Sequence, residues 1–214
     1  MKIEDARKRY PQAKFVEGLP MMHEAGKYPK GFPEGIIVHF TAGWQNAKAK
    51  DMISYANSMG YLFFFIDEAG QVWQQFCLSG WGSHAGQSKC PVTGRESVSR
   101  YYVGIEVACA GKLSDMDGDG DRDDTWFKQM NIPHQNIRKG VISNKWQKAN
   151  GEYQKFTEAQ EMSLKKLCTW LCENGCNPDL IFSHEEVAPN RKNDVGLSLS
   201  VSMDEFRKII KGSL

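Results

Sequence analysis

The chain has 214 residues, 41% of them hydrophobic and 25% charged, enough to bury a sizeable core and to exclude disorder as the main state. Lysine and arginine number 27 against 26 aspartates and glutamates, a formal net charge of +1, so no global field draws the protein to nucleic acid or to an anionic membrane. The longest apolar run, residues 61–66, is far short of the ~20 residues of a membrane span, and charged side chains fill the N-terminus before any apolar stretch, so neither membrane insertion nor a signal peptide is expected.

No internal repeat or Gly/Ser linker divides the sequence, and residues 1–214 are expected to form one domain. Gly35 precedes Ile36-Ile37-Val38-His39-Phe40, a β-rich run that places His39 near the C-terminal end of a buried strand. Ala49, Met52, Ile53, Ala56 and Met59 recur at helical spacing and Gly60 supplies a stop, which predicts a helix over 47–59. Residues 61–66 read as a buried strand, turned by Asp67-Glu68-Ala69-Gly70 into a hairpin with 71–76. Over 101–109, Val103, Ile105, Val107 and Cys109 point one way, which sets Glu106 on the outward side between Gly104 and Ala108. Residues 111–155 are polar and read as an irregular insertion, partly disordered. Thr157 and Gln160 have capping-box spacing at the start of a helix whose stripe is Leu164, Leu167, Cys168 and Leu171 and whose stop is Gly175. Leu180-Ile181-Phe182-Ser183 then leads into His184, and Ser202 with Glu205 opens a last helix that buries Phe206, Ile209 and Ile210. The expected class is α/β, a central mixed sheet flanked by helices.

His39, His184 and Asp194 each fall beside a strand end or in the turn that follows one. Two imidazoles and a carboxylate suit zinc and leave a fourth position for water, as catalytic sites do. Spacing alone leaves each of them equally readable as a core or surface residue.

Gly35-Ile36-Ile37-Val38-His39, Ser83-His84-Ala85-Gly86, Val103-Gly104-Ile105-Glu106-Val107 and the run His184-Glu185-Glu186-Val187-Ala188-Pro189-Asn190-Arg191-Lys192-Asn193-Asp194-Val195-Gly196 occur in that order. Together they resemble the type 2 N-acetylmuramoyl-L-alanine amidases, the zinc family that includes phage lysozyme-type amidases and peptidoglycan recognition proteins. The resemblance implies a peptidoglycan-recognition-protein-like fold and zinc on His39, His184 and Asp194. It also implies Glu106 and Lys192 as catalytic side chains, Glu106 handling the proton of the attacking water and Lys192 stabilising the oxyanion. His84 and Tyr61 become candidates for the substrate groove. Two departures stand out: Tyr61-Leu62-Phe63 lacks the histidine of the family's aromatic-His pair, and Asp194-Val195-Gly196 replaces Asp-Pro-Gly. The implied reaction is hydrolysis of the amide between N-acetylmuramic acid and L-alanine in peptidoglycan, a bacteriolytic or endolysin-like activity of a monomer; the alternative is a binding module of the same fold that does not cut. A helix-borne zinc peptidase is excluded, because Ala188 stands where His-Glu-x-x-His needs its second histidine.

Asp115, Asp117, Asp119, Asp121 and Asp123 with Gly120 match the first part of an EF-hand loop, but Trp126 occupies the position of the bidentate glutamate, so calcium competes with a plain acidic loop. Cys77, Cys90, Cys109, Cys168, Cys172 and Cys176 read as free thiols of a reducing compartment, the last three as core packing. Trp44, Trp73, Trp81, Trp126 and Trp146 read as core or rim residues that could also stack on sugars. The expected setting is synthesis in the cytoplasm without a signal peptide, followed by phage-type release or secretion-machine delivery to the wall, or by cytosolic wall recycling.

Overall fold

In the computed structural model, which describes residues 9–43, 45–125 and 128–214, strand β1 (Gly26–Lys27) precedes β2 (Gly35–Phe40), helix α1 (Ala49–Met59) and strands β3 (Phe64–Ile66), β4 (Val72–Trp73) and β5 (Gly80–Trp81). Strand β6 (Tyr102–Val107) follows, then β7 (Ile137–Ser143), β8 (Lys148–Gln154), helix α2 (Glu158–Glu173), strand β9 (Ile181–Ser183), the single turn α3 (His184–Val187) and helix α4 (Met203–Lys211). Trp44 and Trp126, and with them the last position of the EF-hand-like loop, lie outside the described residues. So do residues 1–8, where the N-terminal charges were read.

The main sheet has the order β4-β3-β6-β2-β9, with β3, β6, β2 and β9 parallel and β4 antiparallel at one edge. Parallel strands are covered on both faces, and all six residues of β2 are accordingly buried. Ile36, Val38 and Phe40 join Val103, Ile105 and Val107 in one core cluster, together with Leu164, Leu167, Cys168 and Leu171 of α2 and Phe206 and Ile210 of α4. Ile37, Tyr102 and Phe182 point into a second cluster on the opposite face. His39 and Glu106 share that second face, since alternation along β2 and β6 carries them opposite to Val38 and Ile105, and they are paired in register.

Local signals place the helices. Thr157 and Gln160 form a reciprocal capping box on α2, and Gly60, at φ +68°, closes α1 in the left-handed conformation that glycine adopts without penalty. Strand β3 begins at Phe64 rather than at Tyr61, whose only ladder contact is an isolated parallel bridge to Ser83. On α4, Ile209 is half-buried and Arg207 is buried in its place, paired through Nη2 with Glu186 Oε1 at 3.0 Å. A charge on the inner face of a helix escapes a hydrophobic-period reading because its partner lies 21 residues away.

The largest correction concerns residues 111–155. Rather than an irregular insertion, their second half is a seven-pair antiparallel hairpin, β7 with β8, in register from Ile137 with Gln154 to Ser143 with Lys148. Tyr153 and Ala149 enter the main core from it, while Val141 remains 74% exposed. Its glycines and charges hide the period-two pattern, because the ladder is held by backbone hydrogen bonds that need no apolar alternation. All six cysteines are free; Cys168 and Cys176 are buried in the core. Among the described residues no helix is long and apolar enough to cross a membrane.

Candidate active site

Strand β2 delivers His39 at its penultimate position, β9 runs straight into His184 at the first turn of α3, and Asp194 sits in the loop that follows. All three are at least nine-tenths buried. His39 Nδ1 lies 2.9 Å from His184 Nδ1 and 3.1 Å from Asp194 Oδ2, and His184 Nδ1 lies 2.9 Å from the same oxygen. The turn that carries Asp194 is pinned from behind. Glu185 N donates to the Asp194 carbonyl at 2.7 Å, and Glu185 Oε1 accepts from Gly196 N at 3.0 Å and from Gln147 Nε2 at 2.9 Å. Gln147 lies in the β7–β8 turn and accepts from Met203 N at 2.9 Å, so the hairpin braces the site from outside the main sheet. Burial pushes the Glu185 carboxyl up to about 7.

The outer ring nitrogens test whether these residues suit a metal. His184 Nε2 is 3.0 Å from the Ala85 carbonyl, which only accepts, so in the neutral ring the proton sits on Nε2 and Nδ1 is bare. His39 Nε2 faces His84 Nδ1 at 3.0 Å, and His84 Nε2 faces the Tyr102 carbonyl at 2.9 Å. The three inward atoms, two bare nitrogens and a carboxylate oxygen, are then all acceptors at about 3 Å with no proton between them. Such a cluster repels itself unless a cation lies between its members, and two nitrogens with one oxygen are a donor set for zinc. Burial, then the neighbouring His184 ring, pushes His39 down to about 4, and burial holds His84 well below its ordinary value.

These residues open into a cavity of about 410 Å³ whose lining includes Glu106, His84, Tyr61, Lys192 and Arg191. The outward side of β6 is therefore the cavity floor rather than solvent. Glu106 shows its edge to the cavity, while its Oε2 is shut off from solvent and has no hydrogen-bond partner among the described residues. Burial, and secondarily the Asp194 carboxylate, push its carboxyl well above the ordinary 4.5, with Lys192 opposing. Tyr55 and Met52 of α1 join Tyr61 along the wall, with the two tyrosine rings edge to face at 6.1 Å. The helical stripe of Met52 reads as core from sequence, and Tyr55 lies off that stripe. Arg191, which donates to the carbonyls of Ala85 at 2.7 Å and Gln87 at 2.9 Å, also escaped sequence reasoning.

Other candidates stand apart from this cavity. Trp73, Trp81 and Trp146 do not line it; Trp73 donates to Asp67, and Trp146 packs on Phe182. In the acidic loop, Asp115, Asp117 and Asp119 bring oxygens within 4.8 Å of one another, all three exposed, while Asp121 faces His134 at 3.4 Å and Asp123 is half-buried.

A family model described as N-acetylmuramoyl-L-alanine amidase matches residues 29–197. No curated protein matches the chain. Among solved structures, the selenomethionine derivative of AmpD is 18% identical over 94% of this chain and 96% of its own, with a TM-score of 0.56. The amidase AmiD from E. coli, solved with anhydro-N-acetylmuramic acid-L-Ala-D-gamma-Glu-L-Lys, is 16% identical over 87% of this chain, which spans 60% of that one, with a TM-score of 0.55. The endolysin amidase LysCS from Clostridium intestinale is 15% identical over 95% of this chain and 98% of its own, with a TM-score of 0.56. At these identities the likeness is one of fold.

Proposed function

The chain belongs to the N-acetylmuramoyl-L-alanine amidase family, and on that premise we propose that it is a zinc-dependent peptidoglycan hydrolase that cleaves the amide between N-acetylmuramic acid and L-alanine. The observation that carries this reading is the pairing, across adjacent strands, of His39 with Glu106, a buried carboxylate beside three converging acceptors in one cavity. His39, His184 and Asp194 would hold the zinc. When bound, zinc supplies Lewis acidity, which acidifies water and polarises a carbonyl.

The remaining work falls to the chain's own side chains. Glu106 takes a proton from the water that attacks the amide carbon, and returns it to the nitrogen of L-alanine as the carbon–nitrogen bond breaks. A carboxyl whose proton affinity is raised by burial suits both halves of that exchange. Lys192, at the cavity edge, brings an ammonium to the oxygen that gains negative charge during attack. Tyr61 and Tyr55 offer aromatic surface to the substrate. A full set of three candidate ligands supports catalysis over the alternative of a binding module that does not cut. Acting as a monomer, the enzyme would meet peptidoglycan in the wall, or fragments of it in recycling.

Digestion of purified peptidoglycan should release new amino groups, stop after removal of metal by a chelator, and resume on addition of zinc. Digestion at full rate in the metal-free protein would remove zinc from the mechanism.

We further propose calcium in the acidic loop of Asp115, Asp117, Asp119, Asp121 and Asp123, where the oxygens of the first three come within 4.8 Å of one another. Millimolar calcium should then raise the melting temperature; an unmoved transition would leave a solvated acidic loop.

A further inference from the structure

Residues 83–86 touch both histidines of the site. Ser99 Oγ accepts from the backbone N–H groups of His84 at 3.3 Å and Ala85 at 3.0 Å, which fixes this segment against the turn before β6. The Ala85 carbonyl then faces His184 Nε2, and the His84 ring faces His39 Nε2. The His84 ring lies directly over Gly104, where a Cβ would come within 2.8 Å of its Cγ. Glycine at this strand position leaves the space that the His84 ring fills beside His39.

The hydrogen bonds along this path admit one order of donors. The Tyr102 carbonyl has only lone pairs, so His84 Nε2 donates to it at 2.9 Å. A neutral His84 then has a bare Nδ1, which accepts from His39 Nε2 at 3.0 Å. His39 is thereby left with its lone pair on Nδ1, the atom that faces His184 and Asp194. Both ring nitrogens of His84 are used in this path, so neither remains to hydrogen-bond a substrate. His84 lines the cavity, where the resemblance puts it, but both of its ring nitrogens are engaged within the protein.

We propose that His84 is a positioning residue, which transmits the direction of the Tyr102 carbonyl to His39 and so holds His39 in the tautomer that turns a bare Nδ1 toward the metal. A ligand histidine whose other nitrogen is held in this way is oriented before the metal arrives, and loss of such a partner costs about 10–100-fold in metal affinity. The inference rests on the reading of His39 as a zinc ligand, but the tautomer it assigns is measured in the metal-free protein without any substrate.

Long-range proton–nitrogen correlation spectra of the metal-free, 15N-labelled full chain should show His39 protonated at Nε2 and bare at Nδ1. His84→Ala should mix the two tautomers of His39 and weaken zinc binding about 10–100-fold in competition with a chelator. His84→Gln, which keeps an acceptor and a donor on one planar group, should recover part of that loss. The KM for muropeptide should stay near the parent value in both variants, since no substrate hydrogen bond is removed. A proton on Nδ1 of His39 in the metal-free parent overturns the proposal, whether or not either variant folds. So does a folded His84→Ala protein with parental zinc affinity. Parental tautomers in a protein that takes up no zinc would instead contradict the metal reading and leave the relay standing.

Discussion

Glu106→Gln should lower turnover roughly 100-fold or more while zinc content and melting temperature stay near those of the parent. The substitution is nearly isosteric, and Glu106 Oε2 has no hydrogen-bond partner to lose, so the fold has little reason to notice it. Removing a buried, partnerless carboxylate relieves a desolvation cost, and stability should hold or rise slightly. Activity behaves differently, because an amide cannot accept and return the proton of water. The pH dependence follows in sign. A base must be ionised to act, and burial raises the proton affinity of Glu106, so the acidic limb of the parent's rate profile should lie above the ordinary 4.5 and climb as pH rises. In Glu106→Gln the residual rate should lack that limb. Parental turnover in a zinc-replete Glu106→Gln protein would remove this residue from the mechanism and direct attention to Tyr61, which lines the same cavity.

His39→Ala and His184→Ala should each abolish bound zinc and reduce hydrolysis to background, against about one zinc per chain in the parent. Each deletion takes one of three inward donors and leaves a two-ligand site that is not competitive for zinc at ordinary concentrations. The substitutions differ in their collateral cost. His184 begins α3 and its Nε2 holds the Ala85 carbonyl, whereas the His39 ring is held from outside the cluster through His84. His184→Ala should therefore also loosen residues 83–86, which proteolysis or amide exchange would report, while His39→Ala should lose metal with less disturbance. Metal analysis that finds parental zinc in both proteins would place the ion elsewhere.

What was legible from sequence was mostly local. The apolar run after Gly35, the alternation around Glu106 and the capping signals at Thr157 and Ser202 act within a few residues, and the elements built from them match expectation within one or two residues at their ends. The motif order that carried the family resemblance also named His39, His184 and Asp194, which the fold brings within hydrogen-bond distance of one another. What escaped was polar and distant in sequence. The hairpin over 137–154 carries too little apolar alternation to be read, and its contribution to the site is a single buried amide, Gln147, bonded to Glu185 across 38 residues. Arg207 with Glu186, and His84 between His39 and Tyr102, are of the same kind: each depends on a partner that only the folded chain supplies.

Mass spectrometry of the soluble products from purified peptidoglycan reads which bond is cut. Hydrolysis at the predicted amide yields intact stem peptides with L-alanine at a free amino end and leaves glycan strands whole, because a carbonyl rather than a glycosidic carbon is attacked. Disaccharide fragments with new reducing ends and peptides still attached to muramic acid would rule this reaction out.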